Sequence, residues 1–173
     1  MAFLGRVVMA ANAVSSDELV IADSWRHIHV RIFIAGSSSA GVARLLVGGT
    51  SIDATGTYNT SLLEGATLNT TSVSAAGWPL AVATTTTARF ATIDIYNVAG
   101  TVKRMVGHSS NISVTAAAIT TQAALAGIWV NTAVAIQRMR LSNFDVLTGT
   151  TLSANTLTAA TELYAWGHND DGG

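Results

Sequence analysis

The chain has 173 residues, of which 49% are apolar and only 11% are charged, with a formal net charge of −1. A disordered chain shows the opposite balance, few apolar residues and a high net charge, so this chain folds. Proteins that bind nucleic acids use basic patches, whereas this chain has nine basic and ten acidic residues, so we expect no nucleic-acid partner. Cysteine is absent, which excludes disulfides, thiolate catalysis and cysteine-ligated metals.

No apolar run reaches the roughly 18–20 residues that cross a bilayer, so we expect no membrane association. The N-terminal apolar stretch breaks at Gly5 and Arg6 and does not resemble a secretion signal, so we expect synthesis in the cytoplasm. Lys103 is the single lysine. Because lysine is depleted and arginine enriched at protein interfaces, we expect other subunits to cover much of this surface.

The apolar N-terminal segment is the first predicted element, with a strand at 5–13. Residues 1–14 fit either an arm or edge strand exchanged with a neighbouring subunit, or the ordinary first strand of the domain. The candidate interface residues that this segment contributes are Phe3, Leu4, Val7 and Val8.

The clearest predicted strand covers residues 26–34, because its side chains alternate with period two. One face carries Ile28, Val30, Ile32 and Ile34, and the other carries His27, His29, Arg31 and Phe33. His27 and His29 therefore share a face with a spacing that suits two metal ligands. A metal site needs a third and a fourth ligand, so a solvated or interface-facing surface is the favoured interpretation.

Further strands follow along the chain, with turn residues between most of them. They are predicted at 19–22, 42–47, 67–74, 80–85, 89–98, 102–106, 128–132, 134–141 and 161–167. Turns are predicted at 48–51 and 97–101, each of which contains glycine. One short helix is predicted at 116–126, and 168–173 is predicted to be a frayed polar tail. Many short strands without a fixed repeat predict one all-β domain spanning 1–173. The strand pattern predicts a two-sheet antiparallel sandwich or a barrel of about eight to ten strands.

The sequence offers no catalytic motif. Its serines lie outside any Gly-x-Ser-x-Gly elbow, and its carboxylates are scattered. We therefore expect no enzyme activity, no catalytic residue, no cofactor and no bound metal. The four tryptophans fit either a sugar-stacking platform or a role in the core and in subunit contacts. Trp78 is a candidate for a subunit contact. Arg138 and Arg140 share a strand face, and an inter-subunit salt bridge accounts for them best.

Two groups of segments follow one another in a characteristic order. The first group is Trp-Arg-His-Ile-His-Val-Arg-Ile at 25–32, Leu-Leu-Val-Gly-Gly at 45–49 and Tyr-Asn at 58–59. The second is Ile-Gln-Arg-Met-Arg-Leu at 136–141 and Glu-Leu-Tyr-Ala-Trp-Gly at 162–167. This order of features, which spans most of the chain, resembles that of the small jelly-roll virion proteins of tailed bacteriophages. The closing strand departs from the usual Leu-Tyr-x-Gly pattern, because Ala165 and Trp166 precede its glycine.

The resemblance implies a jelly-roll-like form of the two-sheet antiparallel sandwich, and a structural virion protein that decorates and cements a bacteriophage capsid. The expected partners are further copies of the chain, as a homo-oligomer with a trimer favoured, and the major capsid protein. The expected location is the outer capsid surface. The alternative is a protein of the tail or tail tip that contacts a host glycan. The resemblance carries over no catalytic residue.

Overall fold

The computed structural model describes residues 1–22, 25–39, 41–55, 57–64, 67–80, 87–112, 119–145 and 150–169. Within these residues it has twelve β-strands and no α-helix. In chain order they are β1 (Ala2–Val8), β2 (Leu19–Val20), β3 (His27–Ile34), β4 (Val42–Gly48), β5 (Tyr58–Glu64), β6 (Thr67–Ala75), β7 (Trp78–Pro79), β8 (Ala88–Tyr96), β9 (Lys103–Ile112), β10 (Ile119–Trp129), β11 (Arg138–Phe144) and β12 (Glu162–His168).

The strands form two antiparallel sheets. The long sheet has the order β1-β12-β3-β8-β9-β10-β5-β6, and the short sheet has the order β2-β11-β4-β7. Four pairs are nested within one another along the chain: β1 with β12, β2 with β11, β3 with β8, and β4 with β7. Successive pairs alternate between the sheets, as in a long hairpin that has been rolled up. This is the strand order of a jelly roll, so the predicted fold class is confirmed.

Four further strands enlarge the long sheet. The pair β5–β6 is inserted between β4 and β7, and the pair β9–β10 lies between β8 and β11 in the chain. Together they continue the long sheet beyond β8. The strand count therefore exceeds the eight to ten that the sequence predicts, because the jelly roll carries a four-stranded extension.

The core lies between the two sheets and forms one large apolar cluster. The inward face of β3 is 0–4% exposed, and it consists of the predicted residues Ile28, Val30, Ile32 and Ile34. The short sheet contributes residues that are completely buried: Leu45, Val47, Met139 and Leu141. The period-two pattern of the sequence thus identifies the buried face correctly.

The predicted helix at 116–126 is wrong where the structure describes it, because 119–126 belong to β10. Residues 116–118 lie outside the described residues. Ala123 and Leu125 face the core, whereas Ala124 and Ala126 are exposed. Pairing with β9 on one side and β5 on the other satisfies the backbone of β10, and this outweighs the helix propensity of alanine.

Two smaller differences concern strand ends, and one turn agrees with the prediction. Of the strand predicted at 80–85, Leu80 follows β7 and belongs to no strand, and 81–85 lie outside the described residues. The predicted tail begins too early, because His168 belongs to β12 and the Arg26 amide donates a hydrogen bond to Asn169 Oδ1 over 2.8 Å; residues 170–173 lie outside the described part. The turn at 97–101 is confirmed, with Gly100 at a φ of 81°.

Candidate binding face

The outer face of the long sheet, which points away from the short sheet, carries the polar half of the strand alternation. In β3 it presents His27, His29, Arg31 and Phe33, and in β12 it presents Glu162, Tyr164, Trp166 and His168. The strands are in register, so side chains from neighbouring strands form rows. One such row runs from Trp166 through His29 and Asp94 to Val106.

The β1 side of this face holds a group that we name the aromatic–arginine ladder, formed by Phe3, Arg6, Arg31, Tyr164 and Trp166. The Trp166 ring lies 5.7 Å from the Phe3 ring and is stacked at 6.0 Å on the Tyr164 ring. The Arg31 guanidinium lies 5.5 Å from the centre of the Trp166 ring, and Arg6 lies 5.8 Å from that of Tyr164. Three rings in contact with one another, and two guanidinium groups that each lie near one of the rings, therefore form a continuous group across three strands.

The ladder is accessible to solvent. Phe3 is 58% exposed, Arg6 and Arg31 are exposed, and Tyr164 and Trp166 are half-buried. The Tyr164 hydroxyl donates a hydrogen bond to Glu162 Oε2 over 2.7 Å. That hydrogen bond is the main reason why the pKa of Tyr164 is raised, so its hydroxyl stays neutral. Aromatic rings with arginines and without lysine are the composition typical of protein interfaces.

Beside the ladder lies a second feature, the histidine cleft, with a volume of about 400 Å³. Its side chains are those of His27, His29, Asp94, Tyr96, Arg104, Val106 and His168, over Ile28, Ile95 and Met105. His168, His27, Tyr96 and Arg104 stand opposite one another on successive strands. The His27 ring is stacked on His168 at 4.8 Å and meets the Tyr96 ring edge-on at 5.5 Å.

His29 and Asp94 form a polar pair on the wall of the cleft. His29 Nδ1 lies 2.7 Å from Asp94 Oδ1, and the side chains are 22% and 70% exposed, respectively. A histidine oriented by a carboxylate is the arrangement of a general base, which acts on a nucleophile within hydrogen-bond reach. The described residues that line the cleft include no serine, threonine or lysine. The pair is therefore suited to binding polar groups.

The exposed basic side chains are arginines and histidines, because the single lysine is buried. Lys103 is completely buried and donates hydrogen bonds to the carbonyl oxygens of Thr101 (3.0 Å) and Asn131 (2.9 Å). Desolvation lowers the pKa of Lys103. Arg44 is also fully buried, where desolvation lowers its pKa to about 10, and its guanidinium lies 4.0 Å from the centre of the Phe144 ring.

The predicted interface residues of β1 divide into two groups. Phe3 points outward and belongs to the ladder, and Val8 is half-buried beside Glu162. Leu4 and Val7 pack against the core instead, so they stabilise the domain. In this chain β1 pairs with its own β12 as the edge strand of the long sheet.

The assignment of Trp78 to a partner contact is corrected by its burial. Trp78 is completely buried, and its Nε1 donates a hydrogen bond to the Ile128 carbonyl over 3.2 Å. A Cβ on Gly127 would lie 2.8 Å from Trp78 Cδ1, so glycine is needed there to admit the ring. Trp78 is a core residue, available neither to a partner nor to a sugar.

Arg138 and Arg140 lie on β11, away from the ladder. Arg138 Nη1 is 2.8 Å from Glu18 Oε2, and Arg140 Nη1 is 3.9 Å from Glu18 Oε1. All three side chains are about one-quarter to one-third exposed. The acidic partner that the sequence predicts for these arginines in another subunit is therefore present within the same chain.

Over the ranges that the structure describes, no group of three or more His, Asp or Glu side chains is arranged to hold a metal ion. No helix in that part of the chain is long and apolar enough to span a membrane.

Sequence reasoning missed most of the ladder and part of the cleft. The residues concerned are Arg6, Arg31, Tyr164, Trp166 and His168. The first four lie in predicted strands, whereas His168 was predicted to lie in the tail. The neighbours of all five were not predicted, because the pairing of β12 between β1 and β3 joins segments more than 120 residues apart. The usable signal was the alternation of ring and polar side chains in Glu-Leu-Tyr-Ala-Trp-Gly-His, which mirrors that of β3. No family model matches the chain, and no curated protein matches its sequence.

Proposed function

We propose that this protein is a structural component that acts by assembly, and that it decorates and stabilises a bacteriophage capsid. In this role it forms a homo-oligomer, with a trimer favoured, and binds the major capsid protein at the outer surface of the virion. It has no catalytic function. The resemblance to the jelly-roll virion proteins of tailed phages directs the proposal to the capsid.

The observation that carries the proposal is the aromatic–arginine ladder on a surface that presents no lysine. Phe3 is 58% exposed, and its ring lies 5.7 Å from that of Trp166, which is itself only half-buried. Exposed aromatic side chains flanked by arginine provide most of the energy in many protein interfaces. Burying such rings against a partner removes apolar surface from water at about 25 cal/mol per Å².

The edge of the long sheet supports the same interpretation. Among the strands that the structure describes, β1 pairs with β12 alone, so its other side is an open sheet edge next to Phe3. An unprotected edge strand pairs readily with a strand of another chain. The ladder and the open edge therefore form one continuous surface, on which a second copy of the chain would satisfy both backbone and side chains.

The low charge of the chain accords with this function. Only 11% of its residues are charged, and three of its nine basic side chains are buried. The three are Arg44, Arg89 and Lys103. Electrostatic repulsion between the surfaces of two copies is therefore weak. A particle-stabilising protein needs surfaces that can be buried against copies of itself, and a net charge near zero favours association.

The test is to measure the mass of the purified chain by size-exclusion chromatography with light scattering. We expect a stable oligomer for the natural chain and a monomer for the double variant Phe3→Ala/Trp166→Ala. The matched control is Val20→Thr, because Val20 is 54% exposed on β2 of the opposite sheet. Co-sedimentation with shells assembled from the major capsid protein of the same virus tests the second contact.

A strictly monomeric natural chain that does not sediment with shells would overturn the proposal. An oligomer that survives the double variant but is lost in Val20→Thr would move the interface to the short sheet. Circular dichroism on each variant separates loss of assembly from loss of folding.

A further inference from the structure

We propose that a second groove on the outer face of the long sheet, where the four-stranded extension joins β8, is a binding site for a neutral saccharide. We name it the extension groove, and its volume is about 410 Å³. Its outward side chains are those of Leu63, Phe90, Thr92, His108, Ser110 and Gln122. None of them belongs to the aromatic–arginine ladder or lines the histidine cleft, so the inference does not rest on the proposed assembly function.

The register of the strands brings these side chains together in two rows. The first row crosses β8, β9 and β10 and consists of Phe90, Ser110 and Gln122. The second row crosses the same strands and β5, and it consists of Thr92, His108, Ala124 and Leu63. Neighbouring strands lie about 4.8 Å apart, so one small ligand can touch the side chains of several strands at once.

The polar side chains of the groove are available to a ligand. His108 and Gln122 are exposed, and Thr92 and Ser110 are half-buried. In the described part of the chain, none of these four side chains takes part in a hydrogen bond or an ion pair. Ser109, which lies beneath them, donates instead to the Leu80 carbonyl over 2.6 Å.

The same four side chains match the chemistry of sugar hydroxyls. A serine or threonine hydroxyl and a glutamine amide each offer both a donor and an acceptor, and a neutral imidazole does so through its two nitrogens. A sugar hydroxyl also donates and accepts. The groove can therefore meet several hydroxyl groups of one ligand without a charge on either side.

The apolar contact that a pyranose ring needs is present as well. Phe90 is 38% exposed in the first row, on β8, and Leu63 is 42% exposed in the second row, on β5. They therefore stand at opposite corners of the groove, with the polar side chains between them. An aromatic ring presents an apolar surface that packs against the C–H face of a sugar. The volume of the groove falls within the range of small-molecule sites.

The charge of the groove selects a neutral ligand. Among the described residues that line it, none carries a carboxylate, an ammonium or a guanidinium group. The nearby ions Arg89 and Glu64 pair with each other over 3.6 Å, and their side chains are only 5% and 8% exposed. A ligand with phosphate or carboxylate groups would find no charged partner here, which disfavours nucleic acids and acidic sugars.

The pairing of the strands disfavours a peptide as the ligand. An extended peptide gains its affinity mainly from hydrogen bonds to an open sheet edge. Each of β8, β9, β10 and β5 is paired with a strand on both sides, so the backbone beneath the groove is already used. Recognition must therefore come from side chains on the face of the sheet, and those side chains are suited to hydroxyl groups and a ring face.

The experiment titrates the full-length chain with maltotriose, cellotriose and N,N′-diacetylchitobiose, using isothermal titration calorimetry and amide chemical shifts in NMR spectra. These neutral probes differ in their linkage and in the acetamido group. We expect saturable binding of at least one of them, with shift changes in β8, β9 and β10 around the groove. Trigalacturonate is the acidic probe, and it should bind about tenfold more weakly than the best neutral probe.

The variant Phe90→Ala should weaken binding of that probe about tenfold, because it removes the ring face. The matched control is Tyr96→Ala, since Tyr96 lies on the same strand and the same face, is 39% exposed and lies outside the groove. Its affinity should stay within about twofold of that of the natural chain. Gln122→Ala removes an exposed amide from the opposite strand and should also weaken binding, which keeps the test valid if circular dichroism shows that Phe90→Ala is misfolded.

Three outcomes would overturn the proposal. The first is the absence of saturable binding for all three neutral probes at tens of millimolar. The second is an affinity that is unchanged in both Phe90→Ala and Gln122→Ala, or that is lost in Tyr96→Ala instead. The third is saturable binding of a neutral Thr-Val-Thr peptide but of no saccharide, which would identify the groove as a contact for a protein partner.

Discussion

Two aromatic clusters in this chain have opposite environments. The inner cluster of Tyr58, Trp78 and Trp129 lies between the sheets and is 0–1% exposed. Tyr58 meets Trp78 edge-on at 5.6 Å and is stacked with Trp129 at 6.4 Å. The outer cluster, Phe3 with Tyr164 and Trp166, has similar ring separations of 5.7 and 6.0 Å but stands on the exposed face of the long sheet.

The polar atoms of the inner rings are all satisfied within the chain. The Tyr58 hydroxyl donates to the Val47 carbonyl over 2.6 Å and accepts from the Val47 amide over 2.9 Å. Trp129 Nε1 donates to Asp53 Oδ2 over 2.8 Å. Desolvation is the main cause that raises the pKa of Tyr58, so the hydroxyl remains a donor at every ordinary pH. This cluster is complete without any partner.

The outer rings, by contrast, contact arginines and water. Phe3 is 58% exposed and therefore gains only part of the transfer free energy that drives folding, whereas Tyr164 and Trp166 are half-buried. The comparison teaches that ring spacing alone does not separate a core from a binding surface. Burial and the satisfaction of polar atoms do separate them, and the variants below test this division.

The largest expected effect is that of Trp78→Ala in the inner cluster. Removing a fully buried indole leaves a cavity against Tyr58 and Gly127, so the free energy of unfolding should fall by about 3–5 kcal/mol. Urea denaturation followed by circular dichroism measures it. The matched variant Trp166→Ala in the outer cluster should lose less, about 1–2 kcal/mol, because its ring is only half-buried. Equal losses for the two tryptophans would contradict the division.

The second prediction concerns the buried lysine beside the inner cluster, whose Nζ lies 5.6 Å from the centre of the Trp129 ring. Lys103→Met leaves two carbonyl oxygens without their donor, which should cost about 1–3 kcal/mol. Arg104→Met, the exposed neighbour, should stay within about 0.5 kcal/mol. An amine-reactive ester should modify only the N-terminal amine of the native chain, and rapid labelling of Lys103 would disprove its burial.

The effect of Lys103→Met on the free energy of unfolding should depend on pH, because the pKa of Lys103 is lowered in the folded chain. Between that lowered value and the usual value near 10.4, the unfolded chain holds the lysine proton while the folded chain has released it. Stability therefore rises with pH in this window for the natural chain relative to the variant. Denaturation of both proteins at pH 8 and pH 10 measures the change, and a fall would contradict the direction.

The third prediction uses Asp53, which holds the loop before β5 against Trp129. Desolvation raises the pKa of Asp53, but hydrogen bonds from Thr55, Thr57 and Trp129 outweigh it, and the net pKa is lowered. The unfolded chain therefore binds the proton first as pH falls, so this contribution is present above pH 4 and is lost at lower pH.

Asn has one acceptor oxygen where the carboxylate has two, so Asp53→Asn cannot accept from both Thr55 and Trp129. We expect a loss of about 1–2 kcal/mol at pH 7, and a smaller difference from the natural chain below pH 3. Denaturant titrations across pH 2–7 measure both values. Asp94→Asn on the outer face is the control and should show no comparable loss at pH 7.

The buried residues between the two sheets could be predicted from the sequence better than the binding surface on the outer face of the long sheet. Alternation in residues 26–34 identified the buried face of β3, because burial between sheets requires an apolar residue at every second position. The same logic missed β5, where Thr60 is buried among apolar neighbours and conceals the alternation. It also misassigned β10, where alanine occupies both faces and carries no polarity signal.

The outer face was predicted only in pieces, because a binding surface depends on which strands become neighbours. His27 and His29 were recognised as sharing a face, but their partners His168 and Asp94 lie 141 and 65 residues away. No local pattern encodes those distances, since they follow from the nested pairing of the jelly roll. The virion assignment, which depends on the resemblance, remains a proposal.

The smallest expected effect on the isolated chain is that of Phe3→Ala. Phe3 is 58% exposed and contacts one ring, so its removal should change the free energy of unfolding by about 0.5 kcal/mol or less at low protein concentration. If the ladder is an assembly surface, the natural chain should become more stable as its concentration rises, because only the folded chain associates. Phe3→Ala should abolish that dependence, whereas Val20→Thr should preserve it. Thermal unfolding midpoints over a hundredfold range of concentration measure the slope. A slope that is equally steep in Phe3→Ala would show that the outer cluster is not the surface on which the chain assembles.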